Sequence, residues 1–400
     1  MRKFSKRTRH NKRMADPFSK GPPRVAVLVD TSTDWSRGAV AGIHRYAREH
    51  GGWRLFVEPR GVLESLELPP DWRGDGVIAR IHDRPMADRL VAYGLPVVNI
   101  SAIQTGGPEF PRVAQDVAAG ARTAAGYFLD RGYRNFGYLS LLGLEYAARQ
   151  QRAFVDCLAG HGHECRVHGE RTRRGSQFPE WNLRLDRLAG WLKSLPKPAA
   201  VLTWSGGREV IHACERAGIR VPEDLALLSG SDDLICETCH VPISAVRHDS
   251  GRIGYEAART LEKLMAGEEV PALRLIEPKG VVGRRSTESL AVGDPALADA
   301  LVFILDHIHR PLSVDEVARR AGVSRRVLER RFREHLGRAP AEHIRLLHLD
   351  RARELLRDTD LPVPDVAERS GLGSPEHMAY LFRKRFGVPP LRFRREARSG

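Results

Sequence analysis

Charged side chains with the chemistry to bind DNA bases recur in two groups near the C-terminus. The first group spans residues 325–333 and the second spans residues 376–384. An arginine can donate two hydrogen bonds to the edge of guanine, and a glutamate can accept one from cytosine. The same residue types also cover ordinary solvated helices, so their placement relative to the apolar residues decides which interpretation is favoured.

An apolar stripe accompanies each charged group. Its members lie four residues apart: Leu328, Phe332 and Leu336 in the first group, and Met378, Phe382 and Phe386 in the second. Side chains with this spacing share one face of an α-helix, so each helix is predicted to bury this face and expose the charged one. We therefore predict two DNA-reading helices, without separating base contacts from phosphate contacts. The predicted contact residues are Ser324, Arg325, Arg326, Glu329, Arg330, Arg333, Ser374, Glu376, His377, Tyr380, Arg383 and Lys384.

The segments that precede the two charged groups are also repeated. Three positions recur at a spacing of 49 residues, namely Val314 and Val363, Ala318 and Ala367, and Gly322 and Gly371. One inserted residue then lengthens the spacing to 50, so that Ser324 corresponds to Ser374. Glycine is expected to end the first helix in left-handed backbone, and serine to cap the second helix. Helix, glycine turn and helix is the signature of a helix-turn-helix unit, which occurs twice here.

One long helix is predicted between the two units. Residues 340–357 follow a helical pattern whose inward side chains are Ile344, Leu347, Ala352, Leu355 and Leu356. About 18 residues at a rise of ~1.5 Å give a rod of roughly 27 Å. A rod of this length would hold the two reading helices about one turn of DNA apart, or ~34 Å.

In this region the sequence resembles the AraC-type regulators. The resemblance covers residues 296–395 and includes the closing run from Phe386 to Arg394. In that family, two helix-turn-helix units joined by a long helix bind promoter DNA. The resemblance therefore implies a transcription regulator, such as an activator, with promoter DNA as a partner and RNA polymerase as a further possible one.

Excess positive charge is confined to the two ends of the chain, whose formal net charge is +14. Residues 1–24 carry nine Lys/Arg against one acid, and residues 295–400 carry 21 against 15, whereas residues 25–294 carry 34 of each. This distribution suits phosphate neutralisation by the ends around a neutral module. The basic head, residues 1–23, is predicted to be disordered, and either adds non-specific DNA affinity or only solubilises the chain.

The chain lacks a long apolar stretch. A membrane span needs about 18 consecutive apolar residues, and a secretory signal needs a shorter apolar core, and the sequence offers neither. The five cysteines are odd in number and scattered, which is typical of reduced thiols. We therefore expect a cytoplasmic protein without a membrane partner.

No catalytic residue, metal site or cofactor is predicted. Cys236, Cys239 and His240 have the spacing of a haem attachment site, but that attachment takes place outside the cytoplasm. Neither a P-loop, a dinucleotide fingerprint nor a nucleophile-elbow serine is present. A DNA-repair methyl-transfer enzyme is one alternative, because some of these enzymes carry AraC-type domains. Its four-cysteine zinc centre is compact, however, whereas the cysteines here are spread from Cys157 to Cys239, so the sequence favours binding over catalysis.

The neutral middle alternates short apolar runs with amphipathic segments. Predicted strands are 25–30, 55–58, 76–81, 97–100, 136–140, 200–203, 225–229 and 243–246, and predicted helices are 36–49, 118–131, 149–159, 183–194, 208–217 and 251–265. This alternation predicts doubly wound parallel sheets, and roughly 260 residues are too many for one such sheet. The expected fold is an α/β two-lobed domain over residues 24–287, a linker over 288–295 and an all-α double helix-turn-helix domain over 296–397.

The middle segment resembles the LacI and periplasmic sugar-binding fold. The matching pieces include Asp116–Gly120, Ile219–Leu225, Gly230–Asp233, Arg252–Ala258 and Gly280–Thr287. In that family, acids that correspond to Asp116 and Asp232 face a cleft and accept hydrogen bonds from sugar hydroxyls. The resemblance implies a small-molecule effector, such as a monosaccharide, and a homodimer.

Eight residues form the predicted effector site: Asp30, Ser36, Arg37, Asp116, Arg149, Gln150, Trp204 and Asp232. The first three lie where the first predicted strand meets its helix. A helix cap at Asp116 and a turn at Asp232 are equally compatible with the sequence. Gln150 and Trp204 stand where the family has an arginine and an aspartate, although a tryptophan can stack on a sugar ring.

Together these features favour a DNA-binding regulator controlled by a small molecule bound between two lobes, with a sugar such as a pentose as the expected effector. The alternatives are a non-sugar effector, and a constitutive DNA-binding protein whose cleft is degenerate and binds no ligand.

Overall fold

The chain folds into two compact units. The computed structural model describes residues 21–59, 66–69, 72–104, 109–170, 178–204, 206–288 and 294–399. The first unit comprises the residues up to 120 together with 141–152 and 247–278, and the second comprises 121–140, 153–246 and the residues from 279 onward. Each unit contains one six-stranded sheet. None of the described helices combines the length and the hydropathy that crossing a bilayer requires.

The sheet of the first unit and the helices that cover it form what we call the first lobe. Numbered in chain order, its strands are β1 (Arg24–Leu28), β2 (Arg54–Val57), β3 (Gly76–Ala79), β4 (Val97–Asn99), β5 (Arg112–Gln115) and β11 (Leu273–Ile276). Their order across the sheet is β11-β5-β4-β3-β1-β2, and the pairs are parallel. The helices are α1 (Asp34–Glu49), α2 (Arg84–Ala92) and α8 (Ser250–Met265).

The sheet of the second unit and its helices form the second lobe. Its strands are β6 (Asn135–Leu141), β7 (Cys165–Glu170), β8 (Ala199–Thr203), β9 (Leu225–Ser229), β10 (Ser244–Arg247) and β12 (Gly280–Val282), in the order β12-β10-β9-β8-β6-β7. Its helices are α5 (Phe178–Ser194), α6 (Arg208–Ala217) and α7 (Leu234–Thr238). Two more helices, α3 (Val117–Asp130) and α4 (Glu145–Ala159), contribute residues to both units.

Both faces of each sheet are covered by an apolar core. On β1, Val25 and Val27 belong to one core, while Ala26 and Leu28 belong to the other. The strands β8 and β9 alternate in the same way between two cores of the second lobe. Because helices cover both faces, such strands are continuous apolar runs, and this is why the sequence identified them.

Two helices of the first lobe cross with their backbones in contact. A Cβ on Gly42 would overlap the carbonyl oxygen of Gly251, and a Cβ on Gly254 would overlap that of Ala39. Glycine is therefore required at both positions by lack of space. The contact holds α8 against α1, whose first turn follows the candidate residue Asp30.

The predicted fold class is confirmed, and the strand predictions fail mainly at the sheet edges. The strands β5, β7, β11 and β12 were not predicted, and three of these four lie at an edge, where a strand is half exposed and lacks a continuous apolar run. Two predicted strands were too long, because β1 ends at Leu28 and β3 ends at Ala79. Most of the predicted head and residues 289–293 of the predicted linker lie outside the described residues, and the domain boundaries stay predictions.

The C-terminal segment, residues 294–399, is built from seven helices. They are α9 (Pro295–His307), α10 (Val314–Arg320), α11 (Arg325–Leu336), α12 (Pro340–Asp358), α13 (Val363–Arg369), α14 (Pro375–Phe386) and α15 (Pro390–Ser399). The helix α12 confirms the predicted connecting helix. Ile344, near its start, packs into a core with Phe332, and Leu356, near its end, packs into a second core with Phe382.

Two histidines of α12 are buried in these cores. The ring centroids of His343 and Phe332 are 5.7 Å apart. Burial, together with repulsion from Arg338, lowers the pKa of His343 to about 3. Burial also lowers the pKa of His348 to about 4, although a hydrogen bond with the backbone of Arg310 acts in the opposite direction. Both rings are therefore neutral in the folded protein at neutral pH.

The free energy of unfolding should fall as the pH drops below about 6.5. In the unfolded chain both histidines protonate near pH 6.5, whereas the folded state resists protonation down to about pH 4 at His348 and about pH 3 at His343. The unfolded state thus binds more protons in this window, so the stabilisation is complete above pH 6.5 and is lost progressively below it.

Urea denaturation from about pH 7.5 down to about pH 5 measures this loss. His343→Met removes one titrating group and should reduce the dependence of the unfolding free energy on pH. His335→Met, on the neighbouring helix and less buried, is the matched control and should keep the wild-type dependence. An unchanged dependence in His343→Met would contradict the role of its burial.

Candidate DNA-recognition and effector sites

The predicted DNA-contacting side chains lie on the outer faces of α11 and α14. Eleven of the twelve are exposed, and Glu329 is partly exposed. The apolar stripes lie inward, with Leu328, Phe332, Met378 and Phe382 fully buried. The sequence pattern thus predicted correctly which face each helix buries, while contact with DNA stays a prediction.

Serine caps hold the start of both helices. The Ser324 Oγ accepts a hydrogen bond from the backbone N–H of Val327 at 3.4 Å, and the Ser374 Oγ accepts one from that of His377 at 3.1 Å. Each cap satisfies one amide that the first turn of a helix leaves without an intrahelical partner. Both predicted caps are confirmed.

The two turns use glycine for partly different reasons. Gly322 and Gly371 have φ values of +65° and +76°, as the repeat predicted, and the residue inserted in the second turn is absorbed by Gly373, also at +76°. At Gly371 a Cβ would in addition lie 2.5 Å from the His348 Nε2 and 2.6 Å from the Arg310 carbonyl oxygen. The second turn therefore requires glycine for its backbone conformation and for space.

Two of the predicted DNA contacts on α11 are held by acids of the protein itself. The Arg325 Nε lies 3.0 Å from the Glu329 Oε1, and its Nη1 lies 3.2 Å from the Asp315 Oδ2. The Arg330 Nη1 lies 3.6 Å from the Glu334 Oε1. These exposed pairs are weak and solvent-screened, so DNA phosphates or bases can replace the acids at little cost.

Other arginines on α11 differ in their availability. Within the described residues, no acid lies within ion-pair distance of Arg326 or Arg333. Arg331, by contrast, lies 2.6 Å from the Asp294 Oδ1, and so ties α11 to the N-cap of α9. Arg326 and Arg333 are thus the side chains of this face that are most accessible to DNA.

The outer face of α14 combines cations with an aromatic ring. The Tyr380 side chain is 65% exposed, an unusual position for a large ring in a folded protein. Arg383 and Lys384 lie on the same helix, and no described acid lies within ion-pair distance of either. This helix can offer apolar contact as well as hydrogen bonds to a groove.

The first lobe places polar side chains at the switch point of its sheet. The strand β1 lies between β2 and β3, so the chain turns in opposite directions from it. In doubly wound sheets, ligands bind beyond the carboxyl ends of the strands at such a point. Asp30 follows β1 and Arg80 follows β3, with 2.7 Å between the Asp30 Oδ2 and the Arg80 Nη1. The Ser36 hydroxyl donates to the same carboxylate at 3.3 Å.

Sequence reasoning missed two members of this cluster. The Arg80 guanidinium lies over the Trp35 ring, 4.9 Å from its centroid. Arg80 lies within the predicted strand 76–81, but β3 ends at Ala79, and a charged residue directly after an apolar run is the signal that indicates this end. The predicted ligand residue Arg37 donates to the carbonyls of Thr31 and Ser32 at 3.0 and 2.9 Å, and its contact with a ligand stays a prediction.

The other predicted effector residues of the first unit are Asp116, Arg149 and Gln150. The Asp116 Oδ1 accepts a hydrogen bond from the backbone N–H of Ala119 at 2.9 Å, so the helix-cap interpretation is confirmed. Gln150 is buried, and Arg149 is partly exposed. Burial and, secondly, repulsion from Arg149 lower the pKa of Arg112.

The second lobe brings Trp204 and Asp232 to the ends of adjacent strands. Trp204 directly follows β8, donates its backbone N–H to the Leu139 carbonyl at 3.2 Å, and packs on the apolar core. Asp232 follows β9, and its Oδ1 lies 2.8 Å from the Arg284 Nη1. Arg284 also donates to the Ile243 carbonyl at 2.9 Å. Arg284, which sequence reasoning did not single out, therefore orients the Asp232 carboxylate.

A chain of hydrogen bonds leads from Asp232 into α3. The backbone N–H of Arg284 donates to the Ser244 Oγ at 2.8 Å. The Ser244 and Thr287 hydroxyls share a hydrogen bond of 2.6 Å, and the Thr287 and Tyr127 hydroxyls share one of 2.8 Å. Tyr127 lies on α3, one turn before that helix ends.

The end of α3 contacts the C-terminal segment. The Asp130 Oδ1 lies 3.0 Å from the Nη2 of Arg338, between α11 and α12, and these side chains are only 23% and 20% exposed. Burial raises the pKa of Asp130, although the adjacent Arg338 acts in the opposite direction. Close by, Arg134 donates to the Glu334 carbonyl. The second lobe and the C-terminal segment are thus joined by charged and polar contacts.

The cysteines offer no metal site among the described residues. No cluster of three or more His, Cys, Asp or Glu side chains in those residues could hold an ion. Cys236 is fully buried, and the His240 Nε2 lies 2.7 Å from the Glu215 Oε1. Burial raises the pKa of Cys165 and of Cys214 to about 12, so both thiols stay protonated.

Three domain models match successive segments of the chain. A XylR N-terminal domain model matches residues 24–120, a periplasmic binding protein-like domain matches residues 125–287, and a helix-turn-helix domain matches residues 317–396. The first two matches cover the two-lobed part, and the third covers both reading helices.

Curated relatives and a solved structure agree with this division. The xylose operon regulatory protein of Escherichia coli (strain K12) is 29% identical over 385 residues, which cover 93% of this chain and 96% of that protein. The transcriptional activator RhaS of Enterobacter sp. (strain 638) is 30% identical over 194 residues, 45% of this chain and 67% of that protein. The structure of the xylose-binding transcription activator XylR matches with a TM-score of 0.60 and 27% identity, and covers 94% of this chain and 98% of that one.

The relatives that span nearly the whole chain are transcription regulators rather than enzymes. In this chain an α/β two-lobed part is followed by a helical part. The chain therefore belongs to the AraC-type DNA-binding transcription regulators that carry a periplasmic binding protein-like domain.

Proposed function

We propose that a sugar effector controls how this regulator binds promoter DNA. One observation carries the proposal: each lobe supplies an acid, an arginine and a tryptophan close to the carboxyl ends of its strands. The two sets are Asp30, Arg80 and Trp35, and Asp232, Arg284 and Trp204. Carboxylates accept hydrogen bonds from sugar hydroxyls, guanidinium groups donate them, and indole rings stack on sugar rings.

The relatives support a small sugar as the effector. The E. coli relative is a xylose operon regulatory protein, and the matching solved structure is that of a xylose-binding transcription activator. Gln150 and Trp204 stand where the family has an arginine and an aspartate, so the proposal extends to monosaccharides of pentose size rather than to xylose alone. A sugar would add hydroxyl donors to the lone pairs that the two carboxylates do not use for their arginines, and this favours a sugar over an effector without hydroxyl groups.

Assembly and location complete the proposal. A homodimer would present four reading helices to a promoter, and RNA polymerase is the proposed partner for activation. Both statements rest on the resemblance to known regulators. A regulator of promoters acts where the chromosome is, so we place the protein in the cytoplasm.

Arg326→Ala and Arg330→Ala should each weaken binding to target DNA by about 1–3 kcal/mol and relax base preference, if these side chains read base edges. Fluorescence anisotropy on genomic fragments selected by the wild-type protein, and on random DNA, measures both effects. Arg345→Ala, an exposed arginine on α12, is the control with the same change of charge. Equal losses on target and random DNA would make these arginines phosphate contacts.

Thermal unfolding against a panel of monosaccharides tests the effector. A ligand at 100 times its Kd should raise the unfolding free energy by about 2.7 kcal/mol. Asp30→Asn and Asp232→Asn should reduce this shift, because each weakens a paired acceptor, whereas Asp88→Asn, in an exposed pair with Arg84, should not. The absence of a shift with every sugar would contradict the proposal.

The contacts from Asp232 to Arg338 should carry the effect of the sugar to the DNA-binding helices. Tyr127→Phe removes one hydroxyl of this path and keeps the ring, and Arg338→Met removes the partner of Asp130. Each variant should still bind sugar, but the sugar should change DNA affinity less than in the wild type, where about 5–150-fold is typical of allosteric coupling.

Sugar titrations of DNA affinity measure this coupling, and Arg345→Met on α12 is the control. Asp130→Asn combined with Arg338→Met removes both charges and separates loss of coupling from loss of folding, because no buried charge is left unpaired. Wild-type coupling in both Tyr127→Phe and Arg338→Met would rule out this path.

A further inference from the structure

A second charged pocket lies on the first lobe, and it shares no residue with the sites described above. It is formed by α8 and by the starts of β5 and β11, has a volume of about 130 Å³, and is lined by Arg112, Glu256, Arg259, Lys263 and Arg274 among others. Asp30 and Arg80 follow the carboxyl ends of their strands, whereas Arg112 begins β5, so the pocket lies towards the amino ends of this parallel sheet.

A buried carboxylate forms the floor of the pocket. The Glu256 side chain is 1% exposed, with its Oε2 3.0 Å from the Arg274 Nη1 and its Oε1 3.8 Å from the Arg259 Nη1. Neither oxygen accepts a hydrogen bond from a described residue, because these approaches lack hydrogen-bond geometry. Burial raises the pKa of Glu256 even though three arginines surround it. A buried carboxylate without a donor is costly, so a donor from a ligand would stabilise it.

The rim of the pocket carries more positive charge than Glu256 can neutralise. Four cations line it against this one carboxylate. Within the described residues, no acid lies within ion-pair distance of Arg112, whose pKa is lowered first by burial and then by Arg149. Lys263 approaches only Glu268, at 3.9 Å, among the acids described around it. A bound anion would relieve this repulsion between cations.

We propose that this pocket binds a small oxyanion that also carries a hydroxyl group, such as the phosphate ester or the carboxylate of a short polyol. The oxyanion accepts hydrogen bonds from Arg112 and Arg259, and the hydroxyl donates to Glu256. The pocket volume of about 130 Å³ favours a short ligand over a long one. Such a ligand is chemically distinct from the neutral sugar.

Isothermal titration of the full chain with glycerol 3-phosphate, inorganic phosphate and glycerol tests the proposal. Glycerol 3-phosphate should bind saturably, phosphate more weakly because the Glu256 carboxylate repels a bare anion, and glycerol not detectably. Prior saturation with a bound sugar should leave this binding in place, since the two sites share no residue. No saturable binding of either anion would overturn the proposal, whatever the result with sugars.

Two variants test whether the anions bind in this pocket. Arg112→Gln removes a cation without a described ion pair, and should weaken both anions about tenfold or more, as the loss of a charged hydrogen bond does. Arg84→Gln, an exposed cation of the same lobe that pairs with Asp88, should leave both affinities unchanged. An equal loss of anion affinity in the two variants would indicate unspecific attraction and overturn the proposal.

Glu256→Gln tests whether the ligand hydroxyl donates to the Glu256 carboxylate. Removing its charge should tighten the binding of inorganic phosphate and shrink the preference for glycerol 3-phosphate, because the hydroxyl loses a charged acceptor. A thermal unfolding curve of each variant confirms that it is folded. An unchanged preference in this variant would refute the contact between the hydroxyl and Glu256.

Discussion

The C-terminal segment depends on one helix that completes two cores. Each helix-turn-helix unit begins with a helix of only seven residues, which cannot bury its apolar face alone. Ile344 near the start of α12 closes the first core, and Leu356 near its end closes the second. Because α12 is a single rod of 19 residues, the relative placement of α11 and α14 is set by one element rather than by a flexible linker.

In each lobe, an arginine from another part of the chain pairs with an acid and orients its carboxylate. Asp30 is held by Arg80, and Asp232 is held by Arg284. Pairing fixes the direction of each carboxylate, and its remaining lone pairs can still accept hydrogen bonds from hydroxyl groups. The lobes therefore present oriented acceptors without the cost of an isolated buried charge.

Hydrogen bonds and an ion pair join the second lobe to the C-terminal segment. Three hydroxyl groups, on Ser244, Thr287 and Tyr127, lie between the Arg284 backbone and α3, and the pair of Asp130 with Arg338 lies at its end. Hydrogen bonds and ion pairs are directional, so a small displacement weakens them more than it would weaken apolar packing. Such a connection suits a regulator whose two parts exchange a signal.

The sequence by itself determined the repeated unit, because local periodicity reports which face of a helix is buried. The caps at Ser324 and Ser374 and the left-handed turn at Gly322 follow from the same local rules, as do the strands covered on both faces. Only the tertiary structure decided the partners of the charged residues. Arg80 lies 50 residues from Asp30, and α3 meets Arg338 far along the chain. These pairs depend on which strands and helices become neighbours, and local spacing does not encode that choice.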